Sequence, residues 1–252
     1  MKILISNDDG IQAAGLRALV DALAPEHEVY IAAPEYQQSA KSHALTMHDV
    51  IHAKRSDLYP LAAAAWAISG TPADCVKIGL AKFDEVEFDL VLSGINNGPN
   101  LGIDVIYSGT VAAALEGSFH GIPSFALSHY NGSESGFLTA AAFMRDNLEA
   151  LVTAFVWNGN AVNINFPPAD HYEGITFCRL GKISYENSVE RRTSPRGSEY
   201  YWIAGDLLIP PDQFDADVYA ISLNKVSLTP IRFNFNDDEN MDVDVSGLTI
   251  PE

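Results

Sequence analysis

The chain has 252 residues, of which 47% are hydrophobic and 19% are charged. This hydrophobic fraction is typical of globular proteins and argues against extensive disorder. There are 15 Lys and Arg residues against 33 Asp and Glu residues, which gives a formal net charge of −18. A protein of this charge repels nucleic-acid backbones and anionic membranes, so we expect neither a nucleic-acid polymer nor a membrane as a partner. An anionic substrate would need a local countercharge, and a divalent cation is the simplest source of one.

The sequence favours a soluble protein of the cytoplasm. The longest apolar run, Leu61–Ile68, is too short to span a bilayer. The chain enters a strand-like segment at Lys2, without the long apolar region of a signal peptide. Cys75 and Cys178 are far apart and lie among apolar or small residues, so we expect two buried free thiols.

Predicted strands and helices alternate up to residue 168. The first unit is a strand over Lys2–Ser6, a helix that ends at Pro25 and a strand over Glu28–Ala33. Strand patterns recur at Ala65–Ser69, Phe88–Ser93, Ser124–Ser128 and Ala161–Phe166, and helical patterns at Pro72–Ala81, Val111–His120 and Gly136–Val156. This alternation predicts an α/β fold with a mostly parallel sheet that is covered by helices on both faces.

The pattern changes after Pro168. Residues 174–206 and 216–231 contain β-branched and aromatic residues with turn formers and no helical periodicity, which predicts hairpins or an extended arm. The basic residues within 179–196 have three possible roles: they can be solvated, they can contact another subunit, or they can face an anion at the rim of a site. Residues 233–252 hold six acidic residues and no Lys or Arg, and we expect little fixed structure there. We therefore expect a single domain with a core over about 1–168, a β-rich arm and C-terminal segment over about 169–232, and an acidic tail over 233–252.

Two adjacent carboxylates, Asp8 and Asp9, directly follow the first predicted strand. Ligands of open α/β sheets bind outside the carboxyl ends of the strands. Adjacent carboxylates repel each other unless a positive charge lies beside them, and Mg²⁺ or Mn²⁺ prefers such oxygen ligands. The alternative is that one of the two caps the following helix and the other is solvated. Ser39 follows the second strand, and by itself it indicates little.

Polar and small residues are densest in Ser93–Gly102, where three Asn and three Gly occur within ten residues. Asn amides can coordinate a cation or donate to an anion. Tyr107–Thr110 then opens a predicted helix, and a hydroxyl-bearing turn at a helix N-terminus suits a phosphate, although a plain Ser or Thr cap has the same pattern. Together these loops predict metal-assisted phosphoester hydrolysis. Among the histidines, His43 and His129 lie closest in sequence to these loops.

Several long segments, in order, resemble the SurE family of stationary-phase survival nucleotidases. They are MKILISNDDGIQAAGL, AAPEYQQSA, SGTPADCV, LVLSGINNGPNLGIDVIYSGTVAAALEG and GIPSFALS, followed by NINFP and NKVSLTPI. The resemblance implies a Rossmann-like three-layer core with one divalent metal ion per subunit. It also implies hydrolysis of nucleoside 5′- and 3′-monophosphates, and of short polyphosphate. Relatives of this kind form homodimers or homotetramers through a β-hairpin and a C-terminal segment.

The resemblance also implies roles for particular residues. The metal ligands would be Asp8, Asp9, Ser39 and Asn96, and the two aspartates would be the catalytic residues. The phosphate would contact Asn100, Ser108, Gly109 and Thr110. Two alternatives stay open. A haloacid-dehalogenase-type phosphatase would use an aspartyl nucleophile, but it expects D-x-D where this chain has N-D-D-G. A nucleotide or metal sensor would bind without turnover.

Overall fold

The computed structural model describes residues 1–169, 171–186 and 188–234. The helices in this part of the chain are α1 (Ala14–Leu23), α2 (Pro72–Lys82), α3 (Asp104–Tyr107), α4 (Gly109–Phe119), α5 (Glu134–Ala154) and α6 (Asp217–Ser222). The first strands are β1 (Lys2–Ser6), β2 (Glu28–Pro34), β3 (Ala53–Arg55), β4 (Ala64–Ile68), β5 (Leu90–Asn97), β6 (Ser124–His129) and β7 (Asn160–Phe166). The later strands are β8 (Ile175–Phe177), β9 (Ser184–Glu186), β10 (Val189–Thr193), β11 (Glu199–Ile203), β12 (Asp206–Leu208) and β13 (Val226–Arg232).

A nine-stranded sheet in the order β3-β4-β2-β1-β5-β6-β7-β13-β8 forms the centre of the described fold. Its middle strands, from β4 to β7, are all parallel. Their apolar residues are buried on both faces, because α1 and α5 cover one face and α2 and α4 cover the other. This arrangement confirms the predicted α/β fold with a mostly parallel sheet and helices on both sides.

Side-chain caps explain where the helices begin. Thr71 and Asp74 form a reciprocal capping box at the start of α2. The Ser108 hydroxyl accepts the Val111 backbone N–H, so α4 begins at Gly109, two residues before the predicted start. The Ser133 hydroxyl caps α5 in the same way, so that helix also begins two residues earlier than predicted.

Strand β5 is longer than predicted. We expected a loop after Ser93, but β5 continues to Asn97 and pairs with the end of β6, Asn96 opposite Ser128 and Asn97 opposite His129. The pairing is irregular between Ser93 and Asn96. The neighbouring strand therefore imposes extended backbone on residues whose composition favours a loop, and it brings Asn96 to the edge of the sheet.

One prediction for the region after Pro168 was wrong. Residues 216–231 include the helix α6, which the absence of helical periodicity did not indicate. The short helix is held by tertiary contacts of its first residue, since buried Asp217 accepts the backbone N–H groups of Gly102 and Gly181. The central sheet also continues past residue 168, because β13 pairs with β7 and β8 pairs with β13.

The predicted hairpins are present. Strands β10 and β11 form one antiparallel pair and β9 and β12 form another, and all four strands are exposed. Their use in oligomerisation stays a prediction. The acidic tail lies outside the described residues apart from Phe233 and Asn234. Cys75 and Cys178 are buried free thiols, as expected. In the described ranges, no helix is both long and apolar enough to cross a bilayer.

Candidate active site

The predicted site residues gather at the carboxyl edge of β1 and β5. The chain runs from β1 outward to β2 and β4, and then returns to β5 on the other side of β1. Such a reversal of strand order leaves a crevice at the carboxyl ends of the two central strands. Asp8 and Asp9 follow β1, Ser39 follows β2, and Asn96 lies near the end of β5.

Asp8 is a buried carboxylate beneath the start of α4. Its Oδ1 atom accepts a hydrogen bond of 2.5 Å from the Thr110 hydroxyl. Burial raises the pKa of Asp8 to about 6, the Thr110 hydrogen bond opposes that rise, and the neighbouring charge of Asp9 adds to it. Negative charge at Asp8 is therefore costly in the protein alone, and a cation beside it would remove that cost.

Asp9 is less buried and is held from two other loops. The Asn97 backbone N–H donates to its Oδ2 atom over 3.0 Å, and the Gln37 side chain donates to Oδ1 over 3.3 Å. Burial raises the pKa of Asp9, and these two hydrogen bonds oppose the rise. Asp9 thereby connects the turn after β1 to the end of β5 and to the loop after β2.

A small network fixes the turn that carries the two aspartates. The Asn7 side chain donates to the Gly10 carbonyl over 2.9 Å and accepts the Gly10 N–H over 3.2 Å. Gly10 has a φ of +99°, which L side chains rarely adopt. The sequence analysis missed Asn7, although its place directly before the aspartates was a usable signal for an Asx-type turn.

Ser39 and Asn96 line the same cavity as Asp8. Gln37 donates to the Ser39 hydroxyl over 2.9 Å as well as to Asp9, so one amide bridges the two candidate ligands. The Asn96 side-chain nitrogen donates to the Gly98 carbonyl over 2.8 Å, which makes the amide oxygen the atom of Asn96 that can bind a cation.

The helix start that was predicted to hold a phosphate approaches Asp8 closely. A Cβ atom on Gly109 would lie 2.9 Å from the Cβ atom of Asp8, so only glycine allows this contact. Ser108 is the helix cap, which was the alternative interpretation of this segment, and its O–H proton can still be donated elsewhere. Thr110 instead donates its hydroxyl proton to Asp8.

Asn100 is held by a buried amide network that the sequence did not reveal. Its backbone N–H donates to Asn165, its side chain donates to Ser128, and its carbonyl accepts from Asn163 and Asn165, all within 2.8 to 3.0 Å. Asn163 and Asn165 are fully buried in β7. The missed signal was the alternation of Asn with Val and Ile in a strand whose two faces are both buried.

Several of these residues line an open cavity of about 250 Å³. The predicted residues among its lining are Asp8, Ser39, Asn96, Asn100 and Ser108. Asp9, Gly109 and Thr110 do not line the cavity but contact residues that do: Asp9 contacts Asn97, and Gly109 and Thr110 contact Asp8. In the described ranges, no three His, Cys, Asp or Glu side chains are grouped as a metal site. A metal here would therefore depend on the Ser39 and Asn96 oxygens beside two carboxylates.

The two histidines nearest the site in sequence have other surroundings. His43 lies 2.9 Å from the Glu116 carboxylate. His129 is 1% exposed and packs against Phe137, and its ring nitrogens have no hydrogen-bond partner within the described residues. Burial lowers the pKa of His129. Neither histidine is placed as the partner of Asp8 or Asp9.

Comparison with known proteins shows the family of this chain. The family model described as "Survival protein SurE" matches residues 3–187, a range that contains every predicted site residue. The chain belongs to the SurE family. A 5′-nucleotidase SurE from Pelotomaculum thermopropionicum is 44% identical over 246 residues, which are 96% of this chain and 93% of the relative. Another from Thermosynechococcus vestitus is 43% identical over 242 residues, 93% of this chain and 91% of the relative.

The SurE fold extends through the whole described chain. The crystal structure of the SurE protein from Aquifex aeolicus matches with a TM-score of 0.81 and 33% sequence identity. The match covers 96% of this chain and 97% of that one. The likeness therefore includes the region after residue 187, where β13 completes the central sheet of this SurE-family chain.

Proposed function

We propose that this chain is a metal-dependent 5′-nucleotidase that hydrolyses nucleoside 5′-monophosphates to nucleoside and phosphate. The observation that carries the proposal is the buried Asp8 carboxylate, which lies beside Asp9 and touches the N-terminus of α4. A carboxylate pair attracts a cation, and a helix N-terminus attracts an anion. The two together suit a phosphate ester with a divalent cation better than they suit either ligand alone.

The oxygen donors around the pair fit a hard divalent cation. Asp8, Asp9, Ser39 and Asn96 would hold it, and all four offer the oxygen atoms that Mg²⁺ and Mn²⁺ prefer. The raised pKa values of Asp8 and Asp9 support this assignment, because the protein supplies no basic partner for either carboxylate in the hydrogen bonds described above. When bound, such an ion would stabilise charge on phosphoryl oxygens and lower the pKa of water.

The remaining residues would orient the substrate and the ligands. The Thr110 hydroxyl holds Asp8 in one orientation, so Thr110 is a positioning residue. Ser108 accepts the Val111 N–H and retains an O–H proton for a phosphate oxygen. The backbone N–H groups in the first turn of α4 add positive partial charge at the same place. Asn100, held by Asn163 and Asn165, keeps the loop after β5 against the cavity.

The resemblance to the family supports several finer proposals. They are Mg²⁺ or Mn²⁺ as the metal, one ion per subunit, additional action on nucleoside 3′-monophosphates and short polyphosphate, a cytoplasmic location, and a homodimer or homotetramer. The exposed apolar residues of β10 and β11 support the last of these, since Trp202 is 57% and Ile203 is 86% exposed.

Phosphate release tests the central proposal directly. The purified chain should release phosphate from AMP and GMP with Mn²⁺, and this release should stop when EDTA is added. Asp9→Asn should abolish the release. Undiminished activity in chelator or in that variant would overturn the metal mechanism. A trapped phospho-aspartate would instead favour the haloacid-dehalogenase-type chemistry, and tight nucleotide binding without turnover would favour a sensor.

A further inference from the structure

A second cavity adjoins the candidate active site. It has a volume of about 520 Å³ and lies between the loop after β5 and the β-rich arm. Pro99 and Asp104 line both this cavity and the one that contains Asp8. Pockets for small ligands have volumes of roughly 300 to 1,000 Å³. The two cavities are therefore neighbouring compartments, and the second is large enough for the organic part of a phosphate ester.

The lining of the second cavity differs from that of the first. Apolar residues make up most of its wall, with Leu101 from the loop, Ile183 and Leu207 from the arm, and Val218 and Ile221 from α6. Tyr130 and Tyr185 add two aromatic rings, each 41% exposed. Apolar and aromatic walls suit a flat, weakly polar ring system and offer little to a phosphate.

Asp104 stands at the boundary between the two compartments. It is the first residue of α3, and its Oδ2 atom accepts a hydrogen bond of 2.7 Å from the Tyr185 hydroxyl. This bond orients the carboxylate, whose other oxygen is an acceptor as well. A carboxylate repels phosphate but accepts hydrogen bonds from hydroxyl groups, so its chemistry suits a sugar that lies between a phosphate and a base.

We propose that the second cavity is the nucleoside subsite, in which Asp104 accepts hydrogen bonds from the ribose 2′- and 3′-hydroxyls and the base lies against Tyr130 and Tyr185. This inference rests on the proposed nucleotidase function and adds to it a residue that selects ribonucleotides. Because Tyr185 belongs to β9, the arm supplies part of the specificity of the core site.

The ratio of activities on matched substrates tests the proposal. AMP carries both hydroxyls, 2′-deoxy-AMP lacks one, and p-nitrophenyl phosphate has no sugar. Asp104→Asn should raise KM for AMP about tenfold, as expected for one lost charge-assisted hydrogen bond. It should also bring the kcat/KM values of AMP and 2′-deoxy-AMP together, and the loss of kcat/KM on p-nitrophenyl phosphate should be smaller than the loss on AMP. Asp146→Asn, on the solvent-exposed side of α5, removes the same charge and should leave the activity on all three substrates unchanged.

A second variant guards against a folding defect in Asp104→Asn. Tyr185→Phe keeps the ring and removes only the hydroxyl that orients Asp104, so the AMP preference over 2′-deoxy-AMP should fall by less than in Asp104→Asn. An AMP to 2′-deoxy-AMP ratio that is unchanged in both variants would overturn the subsite, even though the chain hydrolyses AMP. If the wild-type chain hydrolyses none of the three substrates with Mn²⁺, the proposed function fails first, and that result is distinct from failure of the subsite.

Discussion

Two buried carboxylates at opposite ends of α4 have opposite electrostatic surroundings. Asp8 touches the N-terminal turn of the helix and is 5% exposed, and Glu116 lies in the last turns and is 4% exposed. Both side chains are almost inaccessible to solvent, and they differ in their hydrogen-bond and ion-pair partners. Asp8 accepts a hydrogen bond from a neutral hydroxyl, while Glu116 lies 2.6 Å from Lys77, 2.9 Å from His43 and 3.5 Å from His120.

The pKa values follow the partners. Burial raises the pKa of Asp8 to about 6. Burial would also raise the pKa of Glu116, but the hydrogen bonds from His43 and Lys77 outweigh that effect and lower it to about 2. The Glu116 carboxylate is thus fully paired within its own cluster. Its contacts with Lys77 and His43 join α4 to α2 and to the loop that carries Ser39. Among the hydrogen bonds and ion pairs of the described residues, Asp8 has no basic partner, which suits a carboxylate that binds a cation.

Loss of the Asp8 charge should have the largest effect. Asp8→Asn keeps the size of the side chain and removes the charge, so kcat/KM for AMP with Mn²⁺ should fall at least about 100-fold, the upper end of what the loss of a metal's supporting partner costs. Phosphate release measures it. Asp89→Asn, at the opposite edge of the sheet, should keep wild-type activity. Wild-type activity in Asp8→Asn would contradict the proposal that Asp8 serves the active site while Glu116 serves the fold.

The stabilisation of the fold by a bound metal should depend on Asp8 and not on Glu116. Mn²⁺ at 100 times its Kd should add about 2.7 kcal/mol to the free energy of unfolding, which raises Tm by roughly 5–10 °C in a chain of this size. Calorimetry with and without Mn²⁺ measures the shift. Asp8→Asn should lose it and Glu116→Gln should keep it. A shift that disappears in Glu116→Gln would mean that the two regions are not independent.

Removal of the Glu116 charge should destabilise the fold. Glu116→Gln should lower the free energy of unfolding at pH 7 by about 2 kcal/mol, because it breaks charge-assisted hydrogen bonds. The pKa of Glu116 is lower in the folded chain than its ordinary 4.5, so this stabilisation is present above pH 4.5 and disappears as pH falls towards 2. Urea unfolding of both proteins between pH 3 and 7 measures it. A difference that grows as pH falls would contradict the assignment.

The smallest expected effect is a gain in stability when the Asp8 charge is removed in the absence of metal. In chelator, Asp8→Asn should raise the free energy of unfolding at pH 7 by about 1 kcal/mol, because it removes a buried charge. The folded pKa of Asp8 is raised from 3.8 to about 6, so the wild type is most stable relative to the variant below pH 3.8 and loses that advantage as pH rises through 6. The same urea series in EDTA measures it. A variant that is less stable at pH 7 would show that Asp8 is structurally required.

Most of the core and the place of the two aspartates could be predicted from local pattern, whereas Ser39 and Asn96 were expected as ligands only from the resemblance to the SurE family. The β1 bounds agree with the prediction, and the aspartates, Ser39 and Asn96 meet at one edge because parallel strands present their carboxyl ends together. The extension of β5 through Asn97 could not be predicted, since it depends on pairing with β6. Helix α6 was missed for a related reason, because contacts of Asp217 with distant Gly102 and Gly181 hold it.

The sequence by itself determined which chemical groups follow which strand, because hydrophobic periodicity and turn residues are local properties. Only the tertiary structure decided what each group does. In the folded chain, Thr110 donates a hydrogen bond to Asp8, and Asn100 is hydrogen-bonded to the Asn side chains of β7. Three basic side chains surround Glu116. Those outcomes depend on burial and on contacts between residues far apart in the chain, and both arise only when the sheet and helices pack together.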